Sequence, residues 1–336
     1  MTKRQKQMDL GILPAYFTSH GSAYCGDSLD LLARLPDQSV NLVLTSPPFA
    51  LLREKEYGNK AQADYVDWLC SFAKIVYKKM RDDGSFVIDL GGAYERGSPT
   101  RSLYNFRVLL RFCDEIGFIF NEDFYWHNSS KLPSPIEWVN RRKLRVKDSV
   151  NTIWWLGRSP WAKANVSNVL VEYSERMKKL IQDPEAFYEP AKRPSGHDIA
   201  AKFGKDNGGA IPPNLLQIPN SESNGAYITD CKAIGAQPHP ARFPAKLPEF
   251  FIRFLTDPGD IVLDIFAGSN TTGMVAEAED RQWIAFDERR DYLASSAFRF
   301  LPKGMPADKL QTIYDAIDGG ESVDLSKQAK QTRLFS

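Results

Sequence analysis

The sequence predicts an α/β fold built on a doubly wound, mainly parallel sheet, and three observations carry that expectation. Short apolar runs alternate with stretches of helical periodicity along most of the chain, the pattern of parallel strands joined by crossover helices. One run, 261–263, ends in Asp264 and passes into the Gly-bearing turn Phe266-Ala267-Gly268-Ser269-Asn270, from which a helix starts at Thr271. The following run, 283–286, ends in Asp287. An acid about 20 residues past such a turn is where a nucleoside-binding βαβ unit grips ribose hydroxyls.

In chain order, 23–27 reads as a strand ending in Asp27, with Ser28 as N-cap of a helix that carries Leu29, Leu31, Leu32 and Leu35 and stops at Pro36. A strand over 40–45 follows. Residues 63–80 hold Tyr65, Trp68, Leu69, Phe72, Ile75, Val76 and Tyr77 at helical spacing, a stripe read as core packing. Asp82-Asp83-Gly84 reads as a turn before a buried strand over 85–90. A helix over 101–116 is stopped by Gly117, and strands are expected over 118–126 and 151–156. The rhythm breaks over 160–237, which is polar and rich in turn residues such as Asp206-Asn207-Gly208-Gly209. Loops of that length are uncommon in compact domains and are usually functional or disordered. The sheet resumes with the run at 261 and fades after Leu301, leaving a helix and a loose terminus from Pro302.

Straight after the strand at 40–45 stands Ser46-Pro47-Pro48-Phe49. Consecutive prolines fix φ at about −65° and donate no backbone hydrogen bonds, so the strand must stop there. What remains is a stiff corner with carbonyls, a hydroxyl and a ring, able to hold a planar amine under an aromatic face. A Pro-rich turn without chemistry is the plainer reading of those four residues alone. The second turn narrows the ligand. Gly268 and Gly273 mimic P-loop spacing, but Met274 stands where the phosphate-binding Lys is needed, and no G-x-G-x-x-G is present. Such a unit suits a nucleoside without a pyrophosphate.

With 336 residues the chain can bury a large core, as two domains or one elaborated domain. Its 43% hydrophobic and 25% charged content is ordinary, and a net charge of +1 does not advertise a nucleic-acid partner. A basic footprint is local instead: between Lys131 and Lys163, the cations Arg141, Arg142, Lys143, Arg145, Lys147 and Arg158 meet only Glu137 and Asp148. A solvated charged face is the alternative use of that run. Cys25, Cys70, Cys113 and Cys231 form no C-x-x-C pair and suit thiols in a reducing compartment, not zinc or disulfides. His20, His127 and His197 show no metal spacing. The polar N-terminus carries no secretory signal, and no run approaches about 18 apolar residues. A cytoplasmic, nucleoid-associated protein is therefore expected.

Thr45-Ser46-Pro47-Pro48-Phe49, taken with the stretch from Asp264 to Gly273, resembles the beta-type amino-group DNA methyltransferases, in which the catalytic motif precedes the cofactor motif. Longer stretches resemble one N4-cytosine member of that family, from a restriction–modification system. These are Ser46-Pro47-Pro48-Phe49-Ala50-Leu51-Leu52-Arg53, Glu56-Tyr57-Gly58-Asn59 and the segments 133–140 and 239–248. The likeness runs over 14–301.

The resemblance implies an S-adenosylmethionine-dependent methyltransferase fold in circularly permuted motif order. A catalytic half would span 14–159, an inserted loop-rich target-recognition region 160–237, a cofactor-binding half 238–301 and a tail 302–336. It also implies methyl transfer from S-adenosylmethionine, leaving S-adenosylhomocysteine, to the N4 amine of a flipped cytosine in duplex DNA. No metal is implied. A short palindrome such as CAGCTG would be the site, with a cognate restriction endonuclease as functional but not physical partner. Carried onto this sequence, Ser46, Pro47, Pro48 and Phe49 form the target-base corner. Asp27 meets the adenine amino group, and Asp264 the methionine amino group, with Phe266 beside the cofactor. Ser269, Asn270 and Thr271 serve the methionine carboxylate, partly through helix N-terminal amides, and Gly268 belongs to the same cofactor turn. Asp287 takes the ribose hydroxyls. His239, Pro240 and Phe243 close over the methionine end, in a segment that departs from the commoner HPTQKP form; His239 is read as structural, not as an acid–base group. Arg141, Arg142, Lys143, Arg145 and Lys147 are expected on phosphates, and Lys192 and Arg193 on DNA in the recognition region.

The lone pair of the cytosine amine is delocalised into its ring. Acceptors such as the Ser46 hydroxyl and the Pro47 carbonyl help return it for attack, and positioning supplies much of the rest. The base must first leave the stack. No general base is legible near the corner. N6-adenine methylation uses the same fold, but usually with Asp or Asn in place of Ser46 and Tyr last. C5-cytosine methylation needs a Pro-Cys thiolate, and none of the four cysteines follows a proline. A DNA-binding relative without catalysis is the remaining reading, which Ser46, Asp264 and Asp287 together oppose.

Overall fold

The structure is a computed structural model and describes residues 8–49, 62–183, 205–220 and 225–326. Ten strands among them share one sheet: β1 (Tyr16–Phe17), β2 (Gly21–Cys25), β3 (Val40–Thr45), β4 (Met80–Leu90), β5 (Ile119–His127), β6 (Val150–Gly157), β7 (Leu215–Gln217), β8 (Ile261–Asp264), β9 (Gln282–Asp287) and β10 (Val323–Asp324). Their order is β10-β1-β2-β9-β8-β3-β4-β6-β5-β7. The five central strands, β2-β9-β8-β3-β4, are all parallel. Antiparallel pairing enters only between β1 and β2, β4 and β6, and β5 and β6. The sheet is thus mainly parallel, as expected.

Helices cover both faces. On one lie α1 (Ser28–Arg34), α2 (Gln62–Lys79) and α3 (Tyr104–Arg111); α4 (Glu175–Gln182) belongs to a separate unit. On the other lie α5 (Ala226–Ala233), α6 (Lys246–Leu255), α7 (Thr271–Ala278), α8 (Arg290–Ser296) and α9 (Ala307–Asp318). Side-chain alternation along β3 assigns the faces: Val43 packs toward α1–α3, while Leu42 and Leu44 pack toward the other layer. In β8, Val262 faces one core and Leu263 the other, which is why this strand reads as an unbroken apolar run.

Several expectations shift at this level. The cap of α1 is Asp27, whose Oδ1 accepts from the Leu29 amide at 2.6 Å. Ser28 is already helical and donates its hydroxyl to the Ile265 carbonyl at 2.7 Å, tying α1 to the end of β8. The turn expected at 82–84 is a bulge inside β4: Val40 pairs with Met80 and Leu42 with Ser85, so residues 81–84 stand against the single Asn41. The helix expected over 101–116 divides into α3 and a π-helical turn, Phe112–Ile116, ended by Gly117 at φ 95°.

The chain forms two compact units, Asn165–Pro213 by itself and the remainder. The smaller one contains a 3-10 turn (Val166–Val169), α4 and a bridge between Val171 and Ala210. That unit covers part of the insertion expected over 160–237. From Asn214 onward the chain returns to the main unit, supplies β7, and buries Tyr227, Ile228 and Cys231 of α5 in its core. Dense turn residues on either side concealed that strand and helix. Among the described residues no helix is long and apolar enough to cross a membrane.

Candidate active site

Beyond the C-terminal ends of the parallel strands opens a cavity of about 1010 Å³, the place where open α/β sheets bind ligands. Strand ends and the segments that follow them supply its walls: Asp27 after β2, 46–49 after β3, Asp89 near the end of β4, 266–269 after β8, and Asp287 closing β9. His239, Pro240 and Phe243 complete the rim.

One half of the cavity is a cradle between β8 and β9. The Gly268 amide donates to Asp287 Oδ2 at 2.8 Å, and the Arg289 amide donates to Oδ1 at 2.9 Å. Burial nevertheless raises the Asp287 carboxyl to about 6. Gly268 adopts φ 51°, and a Cβ there would lie 2.8 Å from the His239 ring, so the turn needs glycine twice over. His239 stands edge-on to Tyr292 with ring centroids 4.6 Å apart, and its Nδ1 lies 2.6 Å from the Ala241 carbonyl. A carbonyl can only accept, so Nδ1 carries the proton. Burial pushes the imidazole down to about 4, which leaves it neutral. Arg299 anchors the turn from behind, donating to the Ser269 carbonyl at 2.7 Å.

Two residues expected to touch ligand lie beneath this floor instead. Asp264 is buried, accepting from the Thr45 hydroxyl at 2.7 Å and the Phe266 amide at 3.1 Å through Oδ1, and from the Thr272 hydroxyl at 2.7 Å through Oδ2. Burial raises its carboxyl above the usual range. It clamps the end of β3 to the start of α7 and does not line the cavity. Asn270 sits at φ 51° as N-cap of α7, its Oδ1 accepting from Gly273 and its Nδ2 donating to Tyr16 Oη. Both side chains are thus taken up by protein groups, whereas Ser269 and Thr271 line the cavity. Asp27 lines it while capping α1. Beside Phe266 stand Trp68 and Phe72 of α2, at centroid distances of 5.5 and 5.0 Å. The α2 stripe read as core therefore also forms an apolar cavity wall.

The other half is the Ser46–Phe49 corner. Ser46 Oγ donates to Asp89 Oδ2 at 3.2 Å. Asp89 Oδ1 accepts from Asn151 Nδ2 at 3.2 Å, and Asn151 Oδ1 accepts from Lys131 Nζ at 3.3 Å. Burial raises the Asp89 carboxyl to about 6, against the lowering pull of Ser46, Asn151 and the Lys131 charge. Phe49 lies over Gly91, where a Cβ would fall 2.5 Å from its ring. Asp89, Asn151, Lys131 and Gly91 all escaped the reading of the sequence. Asp89 had a usable signal, since it is an acid closing an apolar run, as Asp264 and Asp287 are.

The basic residues Arg141, Arg142, Lys143, Arg145 and Lys147 are exposed on the connection between β5 and β6. Arg141 and Arg142 share Glu137, and Arg142 also lies over the Trp138 ring. Lys192 and Arg193 lie outside the described residues.

A family model described as DNA methylase matches residues 40–298. The type II methyltransferase M.PvuII of Proteus hauseri is 63% identical over 319 residues, 95% of each chain. M.ScaI of Streptomyces caespitosus is 25% identical over 83% of this chain and 81% of its own. A solved structure described as PvuII DNA methyltransferase (cytosine-N4-specific) superposes with a TM-score of 0.78 at 55% identity, over 95% of this chain and 99% of that one. TTHA0409 of Thermus thermophilus, solved with S-adenosyl-L-methionine, shares the fold with a TM-score of 0.52 at 18% identity over 90% and 98% of the two chains. By its motifs, its cavity and these matches, the chain belongs to the N6/N4 amino-group DNA methylase family.

Proposed function

We propose that this chain transfers the methyl group of S-adenosylmethionine to the N4 amine of a cytosine flipped out of duplex DNA, as the modification enzyme of a type II restriction–modification system. The observation that carries this reading is the Ser46–Asp89 hydrogen bond at one end of a cavity whose other end is the Gly268–Asp287 cradle. Likeness to a cytosine-N4-specific enzyme across 95% of the chain supports the choice of base, as does Ser at position 46. The site CAGCTG, a partner endonuclease and a cytoplasmic location are parts of the same proposal, drawn from the resemblance to M.PvuII. Target recognition is assigned to the Asn165–Pro213 unit.

The residues present fit the cofactor. Asp287 offers a carboxylate for ribose hydroxyls, and Trp68, Phe72 and Phe266 offer an apolar wall. Ser269, Thr271 and the N-terminal amides of α7 suit a carboxylate. When bound, S-adenosylmethionine supplies an electrophilic methyl group. The Ser46 hydroxyl, donating to Asp89, turns its lone pairs toward an incoming N–H, and the Pro47 carbonyl accepts the other. Phe49 stacks on the base. Once methylated, the nitrogen is cationic and gives one proton to Ser46 Oγ as Ser46 passes its own to Asp89. An acceptor raised to about 6 is ionised at neutral pH yet more basic than an exposed carboxylate.

Ser46→Ala tests the assignment. Cofactor affinity measured by calorimetry should hold, while single-turnover methylation should fall by roughly 10²-fold or more. Near-normal turnover would remove Ser46 from the reaction.

A further inference from the structure

The connection between β5 and β6 borders the cavity, since Asn128 and Lys131 line it. It is internally bonded along its length. The Asn128 amide donates to the Ser149 carbonyl at 2.9 Å, the Asp148 amide to Ser134 at 3.2 Å, and the Leu144 amide to Trp138 at 2.8 Å. Lys147 Nζ ties the two sides together by donating to the carbonyls of Lys131 at 3.2 Å and Ser129 at 3.3 Å. Leu132 follows Lys131 and Val146 precedes Lys147, so each stands next to that tie.

These two side chains are 79% and 87% exposed, among the most exposed large apolar groups described. Single exposed apolar residues are ordinary. Here the pair belongs to one braced loop, at the rim of the cavity proposed to take a base, among cations suited to a polyanion. Lysine and arginine alone would serve phosphates; leucine and valine add nothing to that. Extruding a cytosine leaves a gap between two base pairs whose floor and ceiling are apolar faces. Apolar side chains are the groups that proteins insert between base steps.

We propose that Leu132 and Val146 form a wedge that enters the duplex where the target cytosine has left it, an assignment that rests on the proposed base-flipping reaction. The occupant of this surface is the base stack, and the exposed cations of the same loop hold the flanking phosphates.

The test uses the full chain, S-adenosylhomocysteine and two labelled duplexes. One carries the site mapped for the wild-type enzyme; the other has an abasic position opposite the target cytosine, which removes most of the cost of extrusion. The double variant Leu132→Ala/Val146→Ala should bind the paired duplex roughly 10- to 100-fold more weakly than wild type, yet approach wild-type affinity on the abasic duplex. Leu132→Met/Val146→Ile, which keeps apolar bulk, should bind both as wild type does. Equal losses on both duplexes, or loss on neither, would overturn the wedge while leaving the reaction standing. A wild-type protein that methylates no DNA would remove the reaction and the wedge together.

Discussion

Gly91→Ala places one methyl group against the proposed base-stacking platform. A Cβ at Gly91 would lie 2.5 Å from Phe49 Cε2 and 2.9 Å from Cδ2, where ordinary carbon–carbon contact is about 3.5–4.0 Å. Either the ring or the backbone must give by about 1 Å. Gly91 has no left-handed φ, so alanine brings no backbone strain. The Tyr104 hydroxyl, donating to the Gly91 carbonyl, braces the main chain. The ring is therefore what moves. Overpacking of this kind costs about 1–3 kcal/mol, partly offset by about 0.4–1 kcal/mol from a stiffer unfolded chain. Stability should fall by about 0–2.6 kcal/mol, while a platform displaced by about 1 Å should slow methyl transfer by up to roughly 10²-fold. Single-turnover transfer from tritiated S-adenosylmethionine reads the rate, and calorimetry checks that cofactor affinity is unchanged. Wild-type turnover would show that Phe49 is not the surface on which the base is aligned.

The pH dependence of the cavity gives three further predictions. Transfer should fall as pH drops through about 6, when Asp89 takes up its proton, and Asp89→Asn should lower the rate by roughly 10²–10⁴-fold above that pH, by progressively less below it, and abolish the acid limb; a variant that keeps the wild-type profile would exclude Asp89 as the acceptor. Lys131 holds the Asp89 carboxyl down, so Lys131→Met should move the acid limb to higher pH, and Lys131→Arg should move it less. Tyr65 also faces Asp89 and stays protonated because burial raises it well above its usual value. Cofactor affinity should weaken by up to about tenfold per pH unit below about 6, where Asp287 binds a proton in the free protein. Calorimetry in buffers of different ionisation heat would show that proton being released as the cofactor binds, and a pH-independent affinity would move the ribose contact away from Asp287.

Strand ends were the legible part of this molecule. Asp264 and Asp287 each close an apolar run, Asp264 just before a glycine turn and Asp287 about 20 residues past it, and both stand at the head of the sheet where that pattern puts them. Their separate roles were not legible. Thr45, Thr272 and the Phe266 amide converge on Asp264 only in three dimensions and turn it into a clamp. Trp68 and Phe72 share a helical stripe with Tyr65 and Val76, and periodicity cannot separate residues facing a cavity from those facing a core. Asn151 and Lys131 are ordinary polar residues in sequence. They gain meaning only because antiparallel pairing of β6 with β4 sets Thr152 opposite Leu90, which brings Asn151 to Asp89. The return of the chain to the sheet at Leu215–Gln217 was hidden by its brevity, three residues between proline-rich turns.

Base identity is the most direct test of the whole account. The purified protein is incubated with duplex DNA from a methylation-free host and S-adenosylmethionine labelled in its methyl group, and the DNA is then digested to nucleosides for mass spectrometry. The label should appear in N4-methyldeoxycytidine, and at a rate lower by roughly 10²-fold or more with Ser46→Ala. Label in N6-methyldeoxyadenosine or 5-methyldeoxycytidine, or none at all from a protein that binds the cofactor, would contradict it.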